Sequence, residues 1–123
     1  MDNKKTTPCK SKYFIRDKSS CEKLNIPAYV WKTCQDQRVR KSHTNMQNVI
    51  VFWDDPPNPE ELIGEESLLG KYHAGEYVGC RCYTEAIVSL NLIKWPSKVY
   101  YNGKIQIMTK EQFEVIWSSK NKK

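Results

Sequence analysis

This 123-residue chain has two histidines, His43 and His73, and each stands beside residues with chemistry of their own. His73 precedes the triplet Cys80-Arg81-Cys82, and His43 closes the run Asp36-Gln-Arg38-Val-Arg40-Lys-Ser-His43. Zinc takes Cys sulfur and His nitrogen, usually as four ligands in a tetrahedron. Cys80 and Cys82 on one strand face can reach a single ion, with His73 near in sequence and His43 brought in by the fold. The metal expectation is therefore a structural zinc held by His43, His73, Cys80 and Cys82. Against it stand two points. Cys-x-Cys is not the usual Cys-x-x-Cys knuckle, and free cysteine is among the most buried residue types, so two buried thiols give the plainer reading. Cys9, Cys21 and Cys34 have no metal-like spacing and read as structural.

A second chemistry needs an acid–base group and a phosphate clamp. His43 with Arg38 or Arg40 offers both for RNA cleavage, with His73 as the only source of a second acid–base group. The preferred reading is that Asp36, Arg38, Arg40 and Arg81 brace a loop, the arginines pairing with Asp36, Asp54 or Glu85. One His and two Arg recur by chance in a basic chain. The four tryptophans and seven tyrosines could stack on single-stranded nucleic acid, but Trp31 and Trp53 fall in strand-like runs and Trp117 on an apolar helix face, so core is the better reading. There is no Gly-rich phosphate loop, no Ser/His/Asp order and no recognisable DNA-reading helix.

The elements that must position these residues are short. Asp17 to Leu24 suits a helix stopped by Asn25 before Pro27. Ala28-Tyr-Val-Trp-Lys-Thr-Cys34 is aromatic and β-branched, a strand. Val39, His43 and Met46 share helical spacing. Val49 to Trp53 is an apolar run of strand length, ended by Asp54-Asp55-Pro56-Pro57 because proline cannot donate to a ladder. Residues 56–75 read as a long loop with a short helix within Glu60 to Leu69. Cys80 to Val88 is a second strand, with Cys80, Cys82, Thr84 and Ala86 on one face. Val99 to Ile107 is a hairpin around Asn102-Gly103, which suits a type I′ turn; Tyr100, Ile105 and Ile107 then share its apolar side. Thr109 and Gln112 form a capping box ahead of Phe113, Ile116 and Trp117 on one helix face. The fold class expected is α+β: a small antiparallel sheet with a C-terminal hairpin and short flanking helices. Residues 13–118 form one domain between a basic flexible tail at 1–12 and a basic tail at 119–123.

Net charge is +6, which permits binding to nucleic acid, an acidic protein or anionic lipid without choosing among them. No stretch approaches the length of a membrane span. Met-Asp-Asn-Lys-Lys has no apolar run behind it, so no signal peptide is expected and the product reads as cytoplasmic. Five cysteines in such a compartment read as free thiols or metal ligands.

Taken together, these residues resemble the C-terminal domain of the phage Mu F-type head morphogenesis family, the minor capsid proteins of tailed phages. The matching residues are Trp31, Thr33, Asp36, Arg38, Val39, Arg40, Ser42 and His43, then Trp53-Asp54-Asp55-Pro56-Pro57, then His73, Gly75, Cys80, Arg81 and Cys82. Order, spacing and loop position agree over about half the chain. Ala74 stands where the family tends to have Pro, Gly79 where it has Asn, and Asn48 where it often has Gly. Asn also tolerates left-handed φ, so the turn can survive. Family members usually carry a long helical region ahead of this domain, and here about 30 residues precede Trp31. Some members have cysteines where Arg40 and His43 stand, which favours His43 as a ligand and leaves Arg40 as a brace. The resemblance implies a virion component in the phage head or host cytoplasm. Its implied partners are capsid or portal protein and, non-specifically, packaged DNA, with no membrane. Some members are fused to toxin domains, which keeps a small ribonuclease or toxin-like enzyme using His43 with Arg38 or Arg40 as the alternative.

Overall fold

Val49 to Phe52 is wholly apolar, and its four side chains are fully buried. The computed structural model describes residues 12–33, 41–66, 70–76 and 82–121, the side chains of 12–15 and 121 excepted. In it this run supplies β2 (Ile50–Phe52), the central strand of a five-stranded sheet. β1 is Ala28–Thr33, β3 Cys82–Ala86, β4 Ser97–Tyr101 and β5 Lys104–Met108. The order is β3-β1-β2-β4-β5. All neighbours are antiparallel except β2 and β4, which meet in parallel at Ile50 and Val99. Helices α1 (Lys12–Lys23), α2 (Lys41–Thr44), α3 (Pro59–Leu62) and α4 (Lys110–Asn121) complete the described elements, with a 3-10 turn at Leu90–Leu92. The fold is α+β.

Period-two alternation gives the sheet two buried faces. On one, Tyr29, Trp31, Val51 and Tyr100 pack with Met46, Tyr72, Ala74 and Cys82. On the other, Ala28, Val30, Phe52 and Val99 pack with Ile87, Met108 and Phe113. α4 closes this second face, and the Phe113 ring stacks on Phe52 with centroids 5.4 Å apart. The start of α4 is the capping box read from the sequence: Gln112 N–H donates to Thr109 Oγ1 at 3.2 Å, and Thr109 N–H to Gln112 Oε1 at 2.9 Å. The hairpin turn is also as expected, with φ of 55° at Asn102 and 83° at Gly103. Asn48 takes the left-handed φ its position called for, 68°. Asn25 ends α1 at φ 56°, with Ile26 N–H reaching Cys21 C=O at 2.9 Å, a Schellman closure.

Several boundaries differ from the sequence reading. α1 starts at Lys12, five residues before Asp17. The expected C-terminal tail is helical through Asn121. Lys120 in it donates to both Asp54 carboxylate oxygens at 3.0 Å and lies over the Phe52 ring. Local charge density pointed to a solvated tail; the Asp54 carboxylate and an aromatic face gave the helix end a dock. The expected apolar side of the hairpin is buried at Tyr100 and half-buried at Ile105, but Ile107 is 72% exposed. The opposite side is buried as well, with Val99 and Met108 against α4. The sheet is covered on both sides at its centre, so alternation alone could not say which side is buried at its edge.

Candidate functional site

The excursion between β2 and β3 carries Asp54, Asp55 and His73 of the resemblance, while Ser42 and His43 sit on α2 between β1 and β2, and the structure folds the excursion back onto β1. α3 begins at a capped turn: the Asn58 side chain accepts from Glu61 N–H at 3.2 Å, and Pro59 occupies the first turn, where a missing N–H costs nothing. That start places Glu60 against α2. Ser42 Oγ donates to Glu60 Oε2 at 2.8 Å, and Tyr72 O–H donates to the same oxygen at 2.7 Å. With the phenol hydrogen committed to the carboxylate, the 2.7 Å contact between His43 Nε2 and Tyr72 O is an N–H donated by the imidazole. His43 Nε2 also lies 3.7 Å from Glu60 Oε2. Ser42, His43, Glu60 and Tyr72 are all buried. An unpaired buried carboxylate is costly; here its donors converge from α2 and from the segment before β3.

A second relay follows directly. Tyr72 N–H is bonded to Pro57 C=O at 2.9 Å, which fixes His73 over β1. His73 Nε2 meets the Trp53 carbonyl at 2.9 Å, so Nε2 carries the hydrogen. Nδ1 then accepts from Tyr29 O–H at 2.8 Å, and Tyr29 O accepts from Ala74 N–H at 3.1 Å. Both ring nitrogens of His73 are thereby engaged, which fixes the orientation of the ring. Glu76 closes the turn by accepting from His73 N–H at 2.8 Å. Tyr29, Trp53 and His73 also meet ring to ring. Gly75 is required: at φ +68° a Cβ would stand 2.7 Å from the Cys82 carbonyl oxygen. The turn therefore lies directly on the start of β3.

Of the four proposed zinc ligands, His43, His73 and Cys82 are buried in this region and Cys80 lies outside the described residues. Asp36, Arg38, Arg40 and Arg81 lie outside them too. Among the described residues no three His, Cys, Asp or Glu side chains are grouped to hold a metal. As placed, both His73 ring nitrogens are hydrogen-bonded and His43 Nε2 is turned to Tyr72. An ion shared by these histidines does not fit this arrangement without breaking one of those bonds. Two of the carboxylates expected to pair with those arginines have lysine neighbours: Asp54 pairs with Lys120, and Glu85 lies 3.8 Å from Lys32.

Sequence reasoning missed Tyr29, Glu60 and Tyr72, which complete the two relays. Glu60 gave no signal beyond its place in a short acidic helix, and its burial depends on α2 packing across it. The nearby thiol Cys21 is buried at the inner side of α1. Burial first, and then the charges of Asp17 and Glu22, push its pKa up against a lowering contact with Trp53. It is a poor nucleophile where it stands. No described helix is long and apolar enough to cross a membrane. Comparison with protein-family models, curated proteins and solved structures finds no match to this chain.

Proposed function

We propose that this chain is an assembly component of a tailed-phage or prophage-derived head, a minor capsid domain acting near the portal or the packaged DNA. One observation carries the reading: among the described residues behind the resemblance, Ser42, His43 and His73 face inward, while Asp54 lies at the surface. Ser42, His43 and His73 make buried hydrogen bonds that clasp the excursion to the sheet. Pro57 and Gly75 shape its turns. Such a clasp holds a shape for partners to recognise. An acid–base catalyst needs a substrate within hydrogen-bond reach, and at 7% and 5% exposure His43 and His73 offer none. That burial weighs against the ribonuclease alternative. Net charge of +6 suits a place beside DNA phosphates, where contacts need not read sequence.

The test is to sediment a lysate of the source culture through a density gradient and probe the fractions for this chain. Migration with filled heads or procapsids is the expected result; a wholly soluble distribution sinks the assembly role. A zinc ion remains a separate proposal. Metal analysis of the purified chain decides it, one equivalent per chain for a site and none for a metal-free clasp.

A further inference from the structure

Among the described residues, β3 and β5 form the two edges of the sheet and neither has a further strand beside it. Ile87 N–H bonds to Ala28 C=O across β1 and β3. Antiparallel pairs alternate, so Glu85 also turns its backbone inward while Thr84 and Ala86 turn theirs outward. At the other edge, the two-residue turn makes Tyr101–Lys104 a bonded pair, so Ile105 and Ile107 of β5 present outward groups. No backbone partner for these four outward-facing residues is found among the described residues.

Each edge also carries exposed apolar side chains on matching sides. A groove of about 590 Å³ runs between α1 and β3, with Leu24, Ile26, Ala74 and Val88 in its lining and Arg16 and Asp17 beside them. Leu24 and Val88 are 68% and 66% exposed. On β5, Ile107 has the parity of Ile105, which packs on the Tyr29–Trp31 face. Thr84, paired with Trp31, points to that same face.

We propose that copies of this chain join head to tail, β5 of one copy adding antiparallel to β3 of the next, with Ile107 seated in the groove. Thr84 then pairs with Ile107 and Ala86 with Ile105, so the outward groups match two for two. This register begins beyond Cys82, whose carbonyl the Gly75 turn crowds. It sets Gln106 opposite Glu85 and Lys104 diagonal to it on the other face, an acid from one edge against a base from the other. Pairings of like edges do less. β3 with β3 leaves Ile107 in water, and β5 with β5 leaves the groove unfilled. Only the head-to-tail contact covers both apolar sites, and a heterologous contact of this kind repeats to form rings or open filaments.

The test is sedimentation velocity on the full chain at physiological salt, which screens the repulsion between copies of like net charge. Wild type should form a concentration-dependent series of oligomers. Ile107→Asp removes the knob and Leu24→Asp spoils the groove. Both positions are exposed, so each variant should keep the wild-type melting temperature, and each alone should lose affinity by at least about tenfold, roughly 1.4 kcal/mol. An equimolar mixture keeps one intact knob and one intact groove, and should give a 1:1 dimer that does not grow. The proposal is overturned if wild type stays monomeric at millimolar concentration, or if the mixture does. It is also overturned if Ile107→Asp alone self-associates with wild-type affinity, which marks a β3–β3 contact, or if Leu24→Asp alone does, which marks a β5–β5 contact.

Discussion

The Tyr29 hydroxyl and His73 Nδ1 stand 2.8 Å apart across 44 residues of chain. Tyr29 is fixed in β1 by hydrogen bonds on both sides of the strand. His73 belongs to a segment with no strand of its own. This one contact, extended to the Trp53 carbonyl on the far side of the ring, ties the end of β2, the excursion and the centre of the sheet together. The position of the Gly75 turn on β3 depends on it.

Tyr29→Phe should therefore destabilise the fold without creating a cavity. It removes the donor to His73 and the acceptor for Ala74 N–H. Leaving buried polar groups unsatisfied costs about 1–3 kcal/mol. Urea unfolding should show a lower midpoint with an unchanged slope. An unchanged midpoint means that the relay contributes nothing net.

Gly75→Ala tests the other end of the same turn. The new Cβ meets the Cys82 carbonyl oxygen, a backbone atom that cannot swing away, and φ is already in the left-handed region. Left-handed strain alone costs of order 1–2 kcal/mol for a non-glycine residue, and the clash adds to it. Gly64 and Gly70 also have positive φ but open space around them. Alanine at either should cost less than alanine at 75, and thermal melts of the three variants give the order directly.

Local signals in this chain were legible and long-range ones were not. The Asn102-Gly103 hairpin, the Thr109–Gln112 capping box and the left-handed Asn48 each depend on a few neighbouring residues, and each formed as read. The apolar run ending in Asp54-Asp55-Pro56-Pro57 gave β2 for the same reason. Spacing could suggest that His43 and His73 matter but not to whom they bond, because Glu60, Tyr72 and Tyr29 come from three other elements. A metal site and a hydrogen-bonded clasp use the same histidines, and a sequence pattern holds no coordinates to separate them. The docking of Lys120 on Phe52 and Asp54 was hidden likewise, since Asp54 lies 66 residues upstream.

Stability should fall in alkali with Tyr100 as one cause. Its phenol is pushed above the ordinary value by burial first, then by the charges of Asp55 and Glu61. The folded state thus holds this proton to higher pH than the unfolded chain does. Its contribution is fully present below about pH 10 and is lost as pH rises from there through the folded value. Tyr100→Phe should make the melting temperature fall less steeply over that window than in wild type. Parallel curves for the two proteins remove Tyr100 from the account.

The Ser42–Glu60–Tyr72–His43 group separates a clasp from a catalytic site. Glu60 Oε2 accepts two hydroxyl hydrogens and faces an imidazole at 3.7 Å. Glu60→Ala strands those donors and should cost about 1–3 kcal/mol, the range for leaving a buried polar group unsatisfied. Glu60→Gln keeps an acceptor oxygen of the same shape and should cost less. His43→Ala should destabilise as well. Because His43 reaches Glu60 through Tyr72, the two changes should be non-additive, with a coupling of about 0.5–3 kcal/mol in a double-mutant cycle. A catalytic His43 behaves differently: its alanine variant keeps the wild-type midpoint and loses only turnover on RNA. Denaturant midpoints of the four proteins, taken beside an RNA cleavage assay, distinguish the two cases. The geometry favours loss of stability, since His43 and Glu60 are buried and bonded to Ser42 and Tyr72.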